Sequence, residues 1–337
     1  MSSDQRDVRK QSDASADRGR SDVDSLEQPQ LDDLGAPAAA GDAAGTVLAA
    51  EAGGPIAQTG LWSDVWRQLR RNPFFLFGAT VLVILTVMAI APQLFTNADP
   101  RSCDLSRSRQ GPSADAWFGY DVQGCDYYAN VIYGARVSIS IGLLAVGGSL
   151  LIGITLGSLA GFFGGWIDNL IARIADIIYG LPLILGAILI LYRFDSRGVT
   201  VVALALIVLL WMTPMRLVRS SVVSIRDSDY VQAARALGAS NWRIITRHIL
   251  PNALAPVLVY GTISVGVVIA AEATLSFLGV GLQLPSISWG LMIGTAQNFI
   301  RTSLYLLIFP GVFLSVTVLA FIAMGDALRD ALDPKLR

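Results

Sequence analysis

Residues 137–163 read VSISIGLLAVGGSLLIGITLGSLAGFF, a Gly-rich run without one charged side chain. An α-helix rises about 1.5 Å per residue, so roughly 20 apolar residues cross the ~30 Å hydrocarbon core of a bilayer. This run is long enough to do so, and that reading governs the rest of the chain. Working outward, five further stretches reach similar length: Phe74–Phe95, Asn169–Leu191, Val199–Val218, Ala255–Val280 and Leu304–Met324. A membrane barrel would show short alternating segments instead. The pattern predicts an all-α, polytopic membrane protein with six transmembrane helices. Pro182 and Pro214 fall inside the third and fourth spans, where they permit kinks.

Composition agrees. Of 337 residues, 53% are hydrophobic and 15% charged, against about 25% charged in soluble domains; the mean hydropathy is +0.55. The formal net charge is −1. Lys10 and Lys335 are the only lysines and neither follows a glycine, so the chain has no P-loop for nucleotide hydrolysis. His248 is the single histidine and cannot by itself build a His-based metal site or a Ser-His-Asp array. Two cysteines, Cys103 and Cys125, exclude a Cys-rich metal module. No catalytic residue, metal site, bound cofactor or nucleic-acid partner is expected of this chain.

Residues 1–60 differ from the rest: rich in Ser, Asp, Ala, Gly and Arg, without aromatics or apolar periodicity, they are expected to be a disordered tail. No apolar core precedes Phe74, so the first span is expected to be a retained anchor rather than a cleaved signal. Residues 61–73 place Leu61, Val65 and Leu69 on one face and read as an interfacial helix. Arg and Lys near the span ends are in excess on the side of the N-terminus, which the positive-inside rule makes cytoplasmic. Both termini are then inside, with residues 325–337 a C-terminal tail.

Two hydrophilic connections are longer than turns. Residues 96–136 lie outside and hold both cysteines. Cys103 and Cys125 either form a disulfide, which would stabilise the loop by roughly 3 kcal/mol, or are two unpaired thiols in an oxidising compartment. Residues 219–251 lie inside. There Asp229 and Gln232 form a near capping box to start a helix, Gly238 is placed to end it in the left-handed conformation, and Ser240 or Asn241 can cap a second helix before Pro251. Gln232, Ala233 and Ala234 give this elbow a small-residue surface. It suits either lipid headgroups or the close approach of another backbone.

Two acids, Asp176 and Glu272, fall within spans, where a charge costs about 2.5–3.5 kcal/mol on insertion scales. Each is a candidate for the translocation pathway or for interhelical packing. Arg173 is placed to pair with Asp176 one turn away, whereas Glu272 has no base within a turn.

The elbow resembles the EAA loop of ABC importer permeases. Gln232-Ala233-Ala234, Gly238 and Leu250-Pro251 fall at that motif's spacing, with Gln in place of the usual Glu and His248 at a usually apolar position. Further blocks are similar to the C-type permease subunit of dipeptide and oligopeptide importers, a subfamily that includes nickel permeases. They are Ile132-Tyr133-Gly134-Ala135-Arg136, Ala160 to Asp168, Ala271 to Gly279, Ser288-Trp289-Gly290 and Gly325 to Pro334. The resemblance implies a type I importer permease fold in a bacterial plasma membrane. It implies a second homologous permease, two ATPase subunits that bind ATP and Mg, an extracytoplasmic solute-binding protein and a peptide substrate. It also implies that Asp229, Gln232, Ala233, Ala234, Arg235, Gly238, Leu250 and Pro251 couple the chain to the ATPases. An ion-coupled secondary transporter using Asp176 or Glu272 as proton carrier would show an inverted repeat, and none is evident.

Overall fold

The computed structural model describes residues 61–332. The expected disordered tail, residues 1–60, and the last residues, 333–337, lie outside this range. The described residues form helices and no strand; two isolated bridges pair Cys103 with Cys125 and Tyr120 with Asp126.

Helix α1 (Leu61–Leu69) leads into α2 (Pro73–Ile90). Asn72 caps α2, its Oδ1 accepting from the amides of Phe74 and Phe75, and Pro73 sits where its missing N–H costs nothing. After the loop come α3 (Tyr127–Phe163), α4 (Gly165–Tyr179), α5 (Leu183–Tyr192), α6 (Val199–Leu210) and α7 (Met212–Ile225). The elbow contains α8 (Asp229–Ala236), α9 (Asn241–Ile244) and α10 (Leu250–Ala253). Then α11 (Ala255–Phe277), α12 (Trp289–Ala296) and α13 (Tyr305–Leu332) complete the bundle.

Four helices, α2, α3, α11 and α13, are individually long and apolar enough to cross a membrane, and the count reaches six if each of two bent pairs is one span. The third expected span is therefore not one helix from Asn169 to Leu191. It starts earlier, at Gly165, and breaks by 88° between α4 and α5. The cause is local: Pro182 cannot donate, and it disfavours helical backbone at Leu181. The fourth span bends by 43° between α6 and α7, where the Pro214 ring meets the carbonyl four residues back, at Leu210. The last helix also departs from expectation. Residues read as a tail from 325 onward continue α13 to Leu332, because Ala327 and Ala331 bury against Val65 and Leu69 of α1. Val65 and Leu69 of α1 thus pack on α13.

The core lies where α3, α5, α6 and α11 meet, with Ile141, Leu191, Leu206 and Ile269 fully buried. A second cluster joins α2, the start of α3, α12 and α13 through Leu85, Val131, Trp289 and Leu306. The most extensive helix contact is α3 on α7. Gly153, Gly157 and Gly161 recur every fourth residue, and a Cβ added at Gly157 would stand 2.5 Å from the Met215 carbonyl. Small residues at this spacing let two backbones approach in an apolar medium.

Candidate functional site

The elbow hangs from α7. The Arg226 guanidinium donates from Nη1 to the Gly161 carbonyl at the end of α3 (3.0 Å) and pairs with Asp227 (3.2 Å). Ser228, not Asp229, occupies the cap position of α8, and its hydroxyl donates back to Ile225 (2.7 Å). The expected Asp229–Gln232 capping box does not form, because Gln232 turns its amide to the Asp227 carbonyl (2.8 Å). At the other end Gly238 takes φ +80°. Its N–H bonds to the Arg235 carbonyl, and that of Ala239 to Ala234, which closes a Schellman motif. Ser240 then caps α9 through the Arg243 amide (3.4 Å). Residues Ile245–Ile249 widen into a π turn. Pro251 has no N–H for the Arg247 carbonyl, and the wider turn accommodates its ring.

This elbow has two faces. Underneath, Val231, Ile244, Ile249 and Ala253 are fully buried against Val218, Val222 and Val257. Outside, Gln232, Ala233, Arg235, Gly238 and Pro251 are exposed, while Ala234 and Leu250 are half-buried. Three large apolar side chains share that outer surface: Tyr230 (47% exposed), Trp242 (72%) and Leu237 (88%). Sequence reasoning passed over these three. Their signal was present as bulky apolar residues among the arginines of a hydrophilic connection.

On the open side of their contact, two ion pairs tie α4 to α7. Arg219 grips Asp168 with Nε and Nη2 at 2.5 and 2.6 Å. One turn away Arg216 reaches Asp176 at 2.7 Å and lies 4.6 Å from the centroid of the Tyr179 ring. The partner of Asp176 is therefore Arg216 on a neighbouring helix, not Arg173 on its own, which remains exposed. The bend that ends α6 turns α7 alongside α4 and brings these arginines within reach.

Glu272 is fully buried on α11. Its Oε1 accepts from the hydroxyls of Ser276 (2.7 Å) and Ser288 (3.3 Å), and Oε2 has no partner among the described residues. Ser288 simultaneously caps α12, accepting from the Leu291 amide (3.1 Å). Gly290 packs on Ala273 so closely that a Cβ there would lie 2.5 Å from the Ala273 Cα. Glu272 thus fastens α12 to α11. Replacing it by Ala removes the acceptor for both hydroxyls and leaves a void; we expect a loss of about 2–5 kcal/mol, as for other large-to-small core changes. Glu272→Gln keeps the acceptor oxygen and is expected to cost under about 1 kcal/mol. Thermal unfolding of the detergent-solubilised protein reads both.

The long loop is compact. A disulfide joins Cys103 to Cys125. Asp121 organises the turn beside it: Oδ1 accepts from the amides of Gln123 and Cys125 (both 2.8 Å), and Oδ2 from the Asn130 side chain (3.2 Å). Burial pushes the Asp121 carboxyl above its ordinary range, against the pull of these bonds. Phe118 stacks on Phe309, centroids 3.8 Å apart, and the Tyr305 hydroxyl donates to the Tyr120 carbonyl (2.8 Å), which seats the loop on α13. Arg136 closes the end of α2 by donating to the carbonyls of Ala89 and Ile90 (2.7 and 3.0 Å). The loop stands at the end of the bundle opposite the elbow, since α3 runs the full length between them.

Among the described residues no group of His, Cys, Asp and Glu is placed to hold a metal ion. Comparison with known proteins gives a consistent assignment. Residues 153–337 match the family described as binding-protein-dependent transport system inner membrane component, and residues 60–112 the N-terminal transmembrane domain of oligopeptide transport permease C. The chain is 41% identical over 279 residues to the dipeptide transport system permease protein DppC of Alkalihalophilus pseudofirmus, covering 82% of this chain and 90% of that one. It is 38% identical to the oligopeptide transport system permease protein OppC of Bacillus subtilis, covering 82% and 90%. It is 36% identical to the glutathione transport system permease protein GsiD of Pectobacterium atrosepticum, covering 82% and 92%. An inward-facing structure of the MetNI methionine ABC transporter superposes with a TM-score of 0.51 at 19% identity, over 60% of this chain and 96% of that one. It shares the fold. By its sequence blocks, its elbow and its helical bundle, the chain belongs to the family of binding-protein-dependent ABC transporter permeases, on the side of the DppC and OppC subunits.

Proposed function

We propose that this chain forms half of the translocation pathway of an ATP-driven importer for short peptides in a bacterial plasma membrane. A second, homologous permease supplies the other half. Two separate subunits bind ATP and Mg and hydrolyse the nucleotide, while the chain itself catalyses nothing. The elbow and both termini face the cytoplasm; the disulfide loop faces outward, toward a solute-binding protein.

The observation that carries this reading is the construction of the elbow. Its underside is locked to α7 and α11 by fully buried apolar residues, while Tyr230, Leu237 and Trp242 stand exposed on its outer surface. Large apolar side chains exposed together on a membrane protein's hydrophilic face mark a protein contact. Force applied there passes to α7, which is tied to α4 by two ion pairs, and so reaches a rigid element rather than a compliant loop. The names of the relatives (dipeptide, oligopeptide and glutathione permeases) favour peptides over nickel as cargo.

The test is site-directed crosslinking in the membrane complex. Trp242→Cys, paired with single cysteines on the ATPase subunit, is expected to crosslink efficiently, with a yield that changes on ATP addition. A cysteine at exposed Leu189 on α5 is expected to give no such product. Transport by the purified chain alone in liposomes would overturn the reading.

A further inference from the structure

A cavity of about 450 Å³ opens between the disulfide loop and the segment that leads into α12. This lies within the ~300–1,000 Å³ typical of small-ligand pockets. Two of its walls differ in chemistry. One is apolar, formed by Leu284, Pro285, Leu291 and Met292. The other carries opposite charges that do not pair with each other: Arg101, whose guanidinium has no ion-pair partner among the described residues, and Asp121. The Oδ1 atom of Asp121 takes two backbone amides, but Oδ2 takes only the Asn130 side chain. A carboxylate oxygen accepts two bonds, so Oδ2 retains a free position. Cys103 and Cys125 both line the cavity, so their disulfide holds the charged wall in place before any ligand arrives.

A ligand that fits carries one cation, one anion and an apolar body. We propose that this cavity binds an unblocked short peptide, the α-ammonium at Asp121, the α-carboxylate at Arg101 and the side chains against the Leu284–Met292 wall. It is a site on the permease itself, at the mouth opposite the elbow, and it rests on the reading of the chain as a peptide-importer subunit. A loop of a partner protein would have to offer both charges from side chains, and binding of a free dipeptide without solute-binding protein separates that case. A simple anion gains nothing from Asp121. Burial already pushes the Asp121 carboxyl up, and a neighbouring ammonium favours its ionised form.

The experiment uses the intact membrane complex in phosphatidylglycerol nanodiscs, without solute-binding protein, and radiolabelled Leu-Phe as the probe. Wild type is expected to bind the dipeptide, and N-acetyl-Leu-Phe and Leu-Phe-amide are each expected to bind at least roughly tenfold more weakly, as for loss of a charge-assisted bond. Arg101→Gln, on an exposed side chain, should weaken Leu-Phe by a similar factor and remove the penalty for amidation. Asp121→Asn should do the same for acetylation; because Asp121 also shapes the loop, disulfide mapping of this variant accompanies the measurement. Equal binding of capped and free dipeptide, or Arg101→Gln indistinguishable from wild type, would overturn the proposal. So would binding abolished by changing the lipid to phosphatidylethanolamine, which would assign the cavity to a headgroup. If the wild-type complex imports Leu-Phe with its binding protein yet shows none of these effects, the site alone is wrong. If it imports another solute and no peptide, the reading beneath it fails.

Discussion

Replacing Gly238 by proline is expected to reduce coupled uptake at least tenfold, roughly 1.4 kcal/mol or more of lost coupling, while leaving insertion of the bundle unchanged. Gly238 sits at φ +80°, and proline is confined near −65°. The substitution also removes the N–H that bonds to the Arg235 carbonyl. Both halves of the Schellman turn then fail, and α8 can no longer hold Leu237 and Tyr230 in a fixed relation to Trp242. Gly238→Ala separates strain from blockage. No atom lies within 4 Å of a Cβ at this position, so alanine bears only the left-handed penalty of about 1–2 kcal/mol. It should therefore retain most of the uptake. Asn, which tolerates this conformation better, should retain more. ATPase activity and peptide uptake measured side by side in proteoliposomes decide it. Hydrolysis persisting in Gly238→Pro while uptake falls is the expected signature, and normal uptake would remove the elbow from the transmission path.

Much of this architecture was legible in the sequence because a bilayer imposes a simple rule. A helix needs about 20 apolar residues to cross, and the runs read at 74–95, 137–163, 255–280 and 304–324 fall on the four helices that meet this length alone, although α3 begins earlier, at Tyr127, within the stretch read as loop. The turn at Gly238 was equally legible, since a glycine after a short amphipathic segment has few other uses. What the sequence concealed was decided by contacts between distant segments. The 88° break between α4 and α5 depends on how far Pro182 is allowed to bend its helix, and a local reading offers only the possibility of a kink. Asp176 had a plausible partner in Arg173 at helical spacing, but the chain turns so that Arg216, forty residues on, competes and wins. The α13 extension is similar: Gly325 and Asp326 look like the end of a span, until α1 supplies a surface for Ala327 and Ala331. The elbow's outer residues Leu237 and Trp242 were hidden differently, because an exposed apolar side chain cannot be told from a buried one until the underside of its helix is known.

Gly157→Leu is expected to be the most damaging single change to the fold. The α3–α7 contact is the most extensive in the bundle, and it depends on backbone meeting backbone. A Cβ at Gly157 would lie 2.5 Å from the Met215 carbonyl and 2.8 Å from the Val218 Cβ. A carbonyl within a helix cannot rotate away as a flexible side chain would, so the helices must separate. Extra methylenes forced into a packed core typically cost about 1–3 kcal/mol. Leucine here adds a whole branched side chain against main chain, and the separation also strains Gly153 and Gly161, which sit one turn to either side against Pro214 and Val222. Because α7 carries Arg216, Arg219 and the root of the elbow, displacing it disconnects the elbow from the bundle as well. Gly147→Leu provides the control on the same helix: that glycine is exposed, and a Cβ added there would have no atom within 4 Å. We expect Gly147→Leu to be recovered at wild-type yield as a monodisperse detergent-solubilised protein, Gly157→Ala at reduced thermal stability, and Gly157→Leu as aggregate. If Gly157→Leu melted at the wild-type temperature, helix α7 would not be packed where its glycine-lined groove places it.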